Sequence, residues 1–511
     1  MSIRITGMNS GMDTDAMVQE LVKSYSKKTE TLKKQQTKAE WKQEAWTDLN
    51  KKIKSFSSKY VSNMQYSTYF AKKTTNVSDS SKVSVVTGDN AVSGTQTIEV
   101  NKLAKAGYLT GGQLSTTSGK AVSKNTTLAD LGYSGEDTQI TLNKGDGKSI
   151  TIDVTANTKL STITDALSGA GLNANLDTKT GRLFISSKDS GAKNDFNLTA
   201  DSASGNDVLA KLGLQKKEYY TKNNIEVGEN AYATKIDGQD AEILLNGAKF
   251  TSSNNAFSVN GLTITAKDVT SGEVTLSTDT DYDSIYDSIK GFIKDYSELI
   301  NALDKAYNGE SAKGYEPLTA EEKDALTEEE VEKWETKIKE SLLRRDGDVS
   351  AVASIMKEAM ASTYTVNGEV LSLSSFGINT LSYFSAPDNQ KNAYHIDGDK
   401  DDEATSGNTD KLKAAIASDP SKVASFFQKL ATNMYDSFQN ITRSSSSRSY
   451  GSFFDDKKVK KEYESYEGKI SDWEDYVAKI EDKYYAQFSK METAMAKLNN
   501  TQTYLSNMFG M

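Results

Sequence analysis

The chain of 511 residues contains no cysteine, one histidine and three prolines, and these scarcities exclude most kinds of site chemistry. Without cysteine there are no disulfides, thiolate metal sites, iron–sulfur clusters or cysteine nucleophiles. His395 is the one histidine, so a serine–histidine relay has a single candidate base, and no motif around it supports that role. The sequence therefore predicts a protein that is not an enzyme and that carries no catalytic residue, cofactor or metal.

Charge and hydropathy narrow the classes of partner. Acidic residues outnumber basic ones, 71 to 61, for a net charge of −10, which argues against nucleic-acid binding because phosphates require clustered Lys and Arg. No stretch approaches the ~18 consecutive apolar residues of a membrane-spanning helix, so no membrane insertion is expected. The first 25 residues combine charges with no apolar run, so we expect no cleaved secretory signal.

Composition divides the chain into two helical ends and a β-rich middle. Residues 14–66 and 455–508 are rich in Lys, Glu, Gln and Ala, whereas residues 73–280 alternate Thr, Ser and Val between turn residues. The predicted fold class is multidomain α+β, with an N- and C-terminal helical coiled-coil leg and inserted β-rich head domains. The predicted domains are N-terminal leg helices (1–72) pairing with a C-terminal leg (441–511), a first head domain in two parts (73–130 and 236–280), a second head domain inserted into it (131–235), and a helical connecting domain (281–440).

Apolar residues recur every seven positions in both end segments, a pattern typical of a coiled coil. In the C-terminal segment most of them have a second apolar residue three positions later, whereas in the N-terminal segment these partners are polar at first and apolar only at Leu49 and Phe56. Asp13 is the expected N-cap of the first helix. We expect leg or oligomer contacts from Trp46, Leu49, Ile53, Phe56, Tyr463, Tyr466, Ile470, Trp473, Val477, Ile480, Tyr484, Met491 and Leu498. For the inner halves, an antiparallel pair within one molecule is the alternative. The outer tips, with Gly7, Gly11, Met508 and Phe509, are expected to become ordered among neighbouring subunits.

Several short motifs of this chain resemble motifs of one protein family. The chain opens with Gly7-Met8-Asn9-Ser10-Gly11-Met12-Asp13-Thr14, and its last helix carries Tyr485-Ala486-Gln487-Phe488-Ser489-Lys490-Met491-Glu492. Phe376-Gly377-Ile378 and Asp419-Pro420 lie between them. In these motifs the chain resembles the flagellar filament-cap proteins (flagellar hook-associated protein 2), and residues 150–187 resemble a repeat shared by flagellins and hook-associated proteins.

The resemblance implies an oligomeric lid at the growing tip of a bacterial flagellum, which retains exported flagellin, promotes its folding and insertion, and is required for filament elongation. It implies secretion through the flagellar export channel and an extracellular position. The implied partners are further copies in a ring-like pentamer, flagellin, the hook–filament junction protein, an export chaperone and a host mucin or glycan. Gly7, Gly11, Met12 and Asp13 resemble a junction-type N-terminal motif.

Other interpretations stay open. One alternative function is an outward-facing adhesin that binds glycans, and another is a different axial subunit of the flagellum. The acidic loop 397–403 spaces Asp397, Asp399 and Asp401 like calcium ligands, but Asp402 replaces the expected glycine, so a solvated acidic turn is the simpler interpretation. The four serines 444–447 are interpreted as a flexible hinge before the C-terminal leg.

Overall fold

The computed structural model of the chain describes residues 11–382, 384, 386–387 and 390–510. It divides the chain into two units. The helical unit is formed by residues up to Phe70 together with those from Tyr282 onward, and the β-rich unit comprises Ala71–Asp281. The two units have separate cores, as the predicted α+β class requires.

The β-rich unit begins with a core enclosed by two antiparallel sheets. The sheets have the strand orders β1-β15-β3-β11-β12 and β13-β14-β2. Their strands are β1 (Lys73–Val77), β2 (Val83–Thr87), β3 (Gly94–Lys102), β11 (Ala241–Leu245), β12 (Ala248–Ser252), β13 (Ala256–Val259), β14 (Leu262–Ala266) and β15 (Val274–Thr280). The period-two alternation explains this core: Ile98, Val100 and Ile243 point inward from strands whose intervening residues are polar. The strands lie within residues 73–280, where the alternating composition predicted a β-rich middle.

A second core lies within the same unit. Its sheets have the orders β10-β4-β8-β7 and β6-β5-β9. The elements are β4 (Tyr108–Thr110), β5 (Thr138–Lys144), β6 (Ser149–Val154), α2 (Leu160–Gly169), β7 (Leu172–Asp177), β8 (Arg182–Ser187), β9 (Phe196–Thr199), α3 (Ala203–Lys211), α4 (Lys217–Lys222) and β10 (Thr234–Ile236). Leu109, Leu114, Val122 and Leu128 pack in this second core, so the domain boundary expected after residue 130 falls inside it.

The helical unit contains long helices and short hairpins. Its helices are α1 (Thr14–Phe56), α5 (Tyr282–Asn308), α6 (Ala320–Asp324), α7 (Glu328–Ser341), α8 (Gly347–Ala361), α9 (Lys411–Ser418), α10 (Pro420–Ile441) and α11 (Asp456–Phe509). The paired short strands are β16 (Tyr364–Val366) with β17 (Glu369–Leu371), and β18 (Ile378–Thr380) with β19 (Tyr394–Ile396). Side-chain caps set several helix starts: Asp346 accepts from the backbone of α8, and Asp419 caps α10, whose first residue is Pro420.

The core of the helical unit is aromatic. Phe292 of α5 and Phe427 of α10 pack edge to face with ring centroids 6.3 Å apart, and Phe56 of α1 stacks on Phe292 at 5.6 Å. Each of these rings is almost fully buried. The C-terminal third of α1 is therefore part of a globular core, while the N-terminal part continues away from it in company with α11.

Candidate assembly interface: the paired terminal helices

Helices α1 and α11 pair antiparallel within the chain. Near the core, Asn50 Oδ1 accepts a hydrogen bond from the Phe453 amide at 3.0 Å, and further out Lys33 Nζ lies 2.8 Å from Glu474 Oε1. Towards the start of α1, Tyr25 contacts Trp473 and Tyr476. The partner thus moves from Phe453, just before α11, to residues 473–476 of α11 as the α1 number falls from 50 to 25, which is the order of an antiparallel pair. For the inner halves, the structure shows the intramolecular antiparallel pair that the sequence left as an alternative.

An aromatic cluster joins the two helices midway. The indole Nε1 of Trp473 donates to the Tyr25 carbonyl oxygen at 3.0 Å, and the Lys28 ammonium lies 3.8 Å from the Trp473 ring centroid. Tyr476 packs on both aromatic residues, with its ring centroid 4.8 Å from that of Trp473 and 6.2 Å from that of Tyr25. The electrostatic interaction with Tyr25 raises the pKa of Tyr484, which lies about two turns beyond Tyr476 on α11. Aromatic and cation–π contacts of this kind stabilise a narrow helix pair that has no broad core.

Burial along α11 is one-sided. Ile470 is buried, while Tyr463, Tyr466, Trp473, Val477, Ile480, Tyr484 and Met491 are half-buried and Leu498 is 68% exposed. One partner helix can cover only one side of another, so a large apolar and aromatic surface of α11 stays accessible in the single chain. Its last turns expose most, through Leu498, Tyr504, Leu505 and Met508.

The C-terminal end of α1 does not form the oligomer contacts that its sequence pattern predicted. Trp46 is 1% exposed and stacks on Phe454 with ring centroids 5.0 Å apart and planes 3° from parallel. Leu49, Ile53 and Phe56 lie in the same globular core. Because all four side chains are buried by their own chain, none presents apolar surface to another copy. The periodicity identified the buried face of α1, and the covering partner is the helical unit itself.

An anchored residue, Arg448, directly follows the four serines interpreted as a hinge. The Arg448 guanidinium bridges Asp348 Oδ1, at 2.5 Å, and Asp455 Oδ1, with Nε to Oδ1 at 3.1 Å. It also donates to the Ile441 carbonyl oxygen at 2.5 Å. Only 15% of the Arg448 side chain is exposed. This cluster ties the end of α10, the start of α8 and the start of α11 together, so the joint between core and helical pair is held by charge and hydrogen bonds.

The start of α1 follows the predicted cap. Asp13 Oδ1 accepts from the Ala16 amide at 3.0 Å, Met12 is half-buried, and Gly11 is exposed with a φ of 67°, a conformation that favours glycine. Gly7 lies outside the described residues, as does the side chain of Phe509. Glu492, a residue that no periodicity singled out, is 2% exposed on α11. A fully buried carboxylate is rare, and its identity alone gave no sign of this position.

The ammonium group of Lys290, from helix α5, binds to carboxylates of the acidic loop 397–403. Lys290 Nζ lies 2.5 Å from Asp399 Oδ1 and 2.6 Å from Asp401 Oδ2. His395 Nδ1 lies 2.6 Å from Asp402 Oδ2. Burial lowers the pKa of Lys290, but the hydrogen bonds to both carboxylates outweigh it and hold that pKa above its usual value. Among the described residues, no group of three or more His, Cys, Asp or Glu is arranged to hold a metal ion.

The N- and C-terminal parts of the chain each match a known protein family. Family models match residues 10–107, as the flagellar hook-associated protein 2 N-terminus, and residues 238–500, as the C-terminus of the same family. The chain belongs to the flagellar hook-associated protein 2 family. The predicted family is thereby confirmed, and with it the function of a flagellar filament cap. Membership also supports self-association, association with flagellin, and an exported, extracellular position at the filament tip.

Curated relatives span the chain to different extents. Flagellar hook-associated protein 2 of Halalkalibacterium halodurans is 23% identical over 563 residues, covering 99% of this chain and all of the relative. The Thermotoga maritima protein is 25% identical over 404 residues, covering 78% of this chain and 60% of its own length. The crystal structure of the flagellar cap protein FliD D1-D2-D3 domains from Escherichia coli aligns with a TM-score of 0.49 at 20% identity, covering 83% of this chain and 99% of that one.

The descriptions of the two family models and of the Halalkalibacterium halodurans relative name no catalytic function. Within the described part of the chain, no helix is both long enough and apolar enough to cross a bilayer.

Proposed function

We propose that copies of this chain form a ring-like lid at the growing tip of the filament, where the paired terminal helices lodge between neighbouring subunits and exported flagellin folds beneath the lid. The protein performs no covalent chemistry in this role. The observation that carries the proposal is the unequal length of the two terminal helices, 43 residues in α1 and 54 in α11, together with the exposed apolar surface at the end of α11.

The register of the pair locates the unpaired end. Asn50 lies opposite Phe453, and continuing at about 1.5 Å per residue on both helices puts Thr14 opposite about residue 490. The last 30 Å or so of α11, at about 1.5 Å per residue, therefore extend past the first turn of α1. Leu498 and Leu505 repeat at seven-residue spacing on this extension, the spacing that a further helix packs against. We propose that terminal helices of neighbouring subunits cover this surface.

Substitutions on the extension test the proposal. Leu498→Ser with Leu505→Ser should leave the protein folded and secreted but shorten filaments severely, because the helix loses its apolar contacts with neighbours. Asn499→Ser with Gln502→Ser changes exposed polar residues of the same turns and is the matched control, with filaments of normal length expected. Filament length by electron microscopy is the readout, and normal filaments in the leucine variant would reject the leg contact.

The proposal also covers the number of copies in the ring and two further protein partners. We propose a ring of five copies, contact with the hook–filament junction protein before the first flagellin arrives, and an export chaperone that covers the exposed end of α11 inside the cell. The support is the resemblance of the terminal motifs together with the exposed apolar side chains there.

One surface favours the glycan-binding alternative as an additional role. Tyr108 and Phe184 are 52% and 42% exposed on the outer face of the β10-β4-β8-β7 sheet, beside a cleft of about 430 Å³ lined also by Asn173, Asn175 and Ser186. Flat aromatic faces next to amides and hydroxyls suit sugar rings. Loss of mucin binding in Tyr108→Ala with Phe184→Ala, at unchanged filament length, would support this role, and unchanged mucin binding would reject it.

A further inference from the structure

A basic groove lies on the helical unit where α1, α11 and the segments flanking α6 and α7 meet. It has a volume of about 400 Å³. Four cationic side chains line it and define the basic groove: Lys38, Lys42, Lys313 and Arg344. Glu462 is the carboxylate among its lining residues. The groove thus carries several positive charges against one negative charge in a chain whose net charge is −10.

Most of the charge in the basic groove is uncompensated. Lys42 Nζ lies 3.7 Å from Asp346 Oδ2. In the described part of the chain, Lys38, Lys313 and Arg344 have no ion-pair partner, and Lys313 and Arg344 are exposed. Like charges held in one cleft repel each other, and a docked anionic group relieves that repulsion while gaining attraction of its own.

The segment formed by α6 and the first half of α7 carries the opposite charge. The acidic patch consists of Glu321, Asp324, Glu328 and Glu332, all exposed and none with an ion-pair partner among the described residues. Glu328 and Glu332 are one turn apart and share a face. Neighbouring carboxylates are occupied: Glu322 pairs with Lys34 at 2.7 Å, and Glu329 with Lys333 at 2.7 Å. The acidic patch is therefore the part of this segment whose charge is available to another molecule.

The two surfaces are held at a fixed spacing. Trp334 of α7 donates from Nε1 to the Glu316 carbonyl oxygen at 2.9 Å and packs against Tyr315 with ring centroids 4.5 Å apart. The Lys339 ammonium lies 4.6 Å from the Trp41 ring centroid on α1. Thr327 and Glu330 form a capping box at the start of the helix. Lys323 of α6 lies 2.6 Å from Glu335, so α6 packs beside α7. Glu328 is the first residue of α7 and Arg344 follows its last residue by three positions, so these two charges are held apart by the length of a pinned helix, about 20 Å at 1.5 Å per residue.

We propose that the acidic patch of one copy docks in the basic groove of the next copy, head to tail. This inference rests on the proposed function, since it names the surface through which the ring of copies associates. Because the patch and the groove are different surfaces on one chain, each added copy leaves one of each free. Contacts of this heterologous kind propagate and close into a ring when the rotation permits. The occupant of the groove is thus the α6–α7 segment of a second copy.

Charge reversal of the purified full chain tests the pairing. The groove variant carries Lys313→Glu and Arg344→Glu, the patch variant Glu328→Lys and Glu332→Lys, and the swapped variant all four changes. Sedimentation velocity at low and high salt reports mass and affinity. Matched controls make equal charge changes on exposed residues of the β-rich unit, Lys120→Glu with Lys124→Glu and Glu226→Lys with Glu229→Lys.

The expected pattern is reciprocal. Groove and patch variants alone should each associate about tenfold more weakly than the unmodified chain, because attractive pairs become repulsive. Mixing the two variants should restore association, and the swapped variant should associate with itself but not with the unmodified chain. Controls should behave as the unmodified chain does, and high salt should weaken the unmodified oligomer.

Each contrary result has a distinct meaning. An unmodified chain that forms a higher oligomer while the groove variant associates equally well would overturn this interface and leave the proposed function standing. Weakening without restoration on mixing would overturn the specific pairing. Association that stops at a dimer would overturn the head-to-tail arrangement. An unmodified chain that stays monomeric at all concentrations would contradict the proposed self-association itself.

Discussion

Arg448 is the residue on which the joint between the helical core and the terminal pair depends. Its guanidinium holds Asp348 and Asp455 and a backbone carbonyl, with 15% of the side chain exposed. Arg448→Ala leaves two carboxylates without their cation, and should lower the free energy of unfolding by about 2 kcal/mol. Arg448→Lys keeps the charge but not the bridging geometry, and should be intermediate. Denaturant unfolding of the full chain followed by far-UV circular dichroism measures the difference.

The exposed Arg443 five residues earlier is the control for Arg448. Arg443→Ala should change stability by less than about 0.5 kcal/mol, since the side chain is on the surface. Equal effects of the two alanine substitutions would show that the bridge contributes nothing to the joint.

The Lys290 cluster predicts a pH dependence with a definite sign. The hydrogen bond from Lys290 lowers the pKa of Asp401 below its usual 3.8, so the stability that this carboxylate contributes is present above that value and is lost as pH falls through the folded-state pKa. The raised pKa of Lys290 keeps its own contribution up to strongly alkaline pH. Lys290→Met should therefore lower the melting temperature at neutral pH, and the deficit should shrink at about pH 3. A deficit that is the same at both pH values would contradict the ion-pair explanation.

Among the elements, helix α1 shows which structural features a sequence pattern can predict and which it cannot. The cap at Asp13, the absence of proline and the seven-residue repeat predicted the helix, and the helix is there. The pattern also predicted which face is buried. It could not predict what covers that face, because periodicity carries no information about a partner 400 residues away. Trp46 is covered by Phe454 in a globular core, where an oligomer seam was expected.

Two tryptophans offer a direct comparison between the ends of the helical pair. Trp46→Ala removes a fully buried ring from the core and should cost about 3–5 kcal/mol of global stability. Trp473→Ala removes a half-buried ring and its hydrogen bond to Tyr25, and should loosen only the paired part of α1 and α11. Hydrogen exchange should then rise in α11 while α10 stays protected.

Oligomerisation should fall in Trp473→Ala because a loosened pair presents its surface poorly. Tyr504→Ala removes an exposed aromatic ring from the same helix and is the control for the effect of Trp473→Ala on stability. Equal loss of protection in α10 and α11 for Trp473→Ala would place that ring in a global core, contrary to the contacts described.

On the scale of the whole molecule, the helical ends, the β-rich middle and the family were predictable from composition and motifs. The finer division of the middle was not. Leu109 and Leu128 belong to the second core although they precede the expected boundary. Leu109 lies there because β4 inserts between β8 and β10, strands more than 70 residues further along the chain. Leu128 lies there because its amide donates to the Thr158 carbonyl oxygen. Alternation identifies a strand's buried face but leaves its partner open. The basic groove escaped prediction for the same reason, since its cations come from separated segments.

The central claim is that this chain retains and inserts flagellin at the filament tip. The most direct measurement quantifies monomeric flagellin in the culture medium of a strain that lacks this chain, and of the same strain supplied with the full chain or with a chain lacking residues 493–511. The account predicts shed flagellin and missing filaments in the deletion strain, recovery with the full chain, and no recovery with the shortened one. Normal filaments and no shed flagellin in the deletion strain would contradict it.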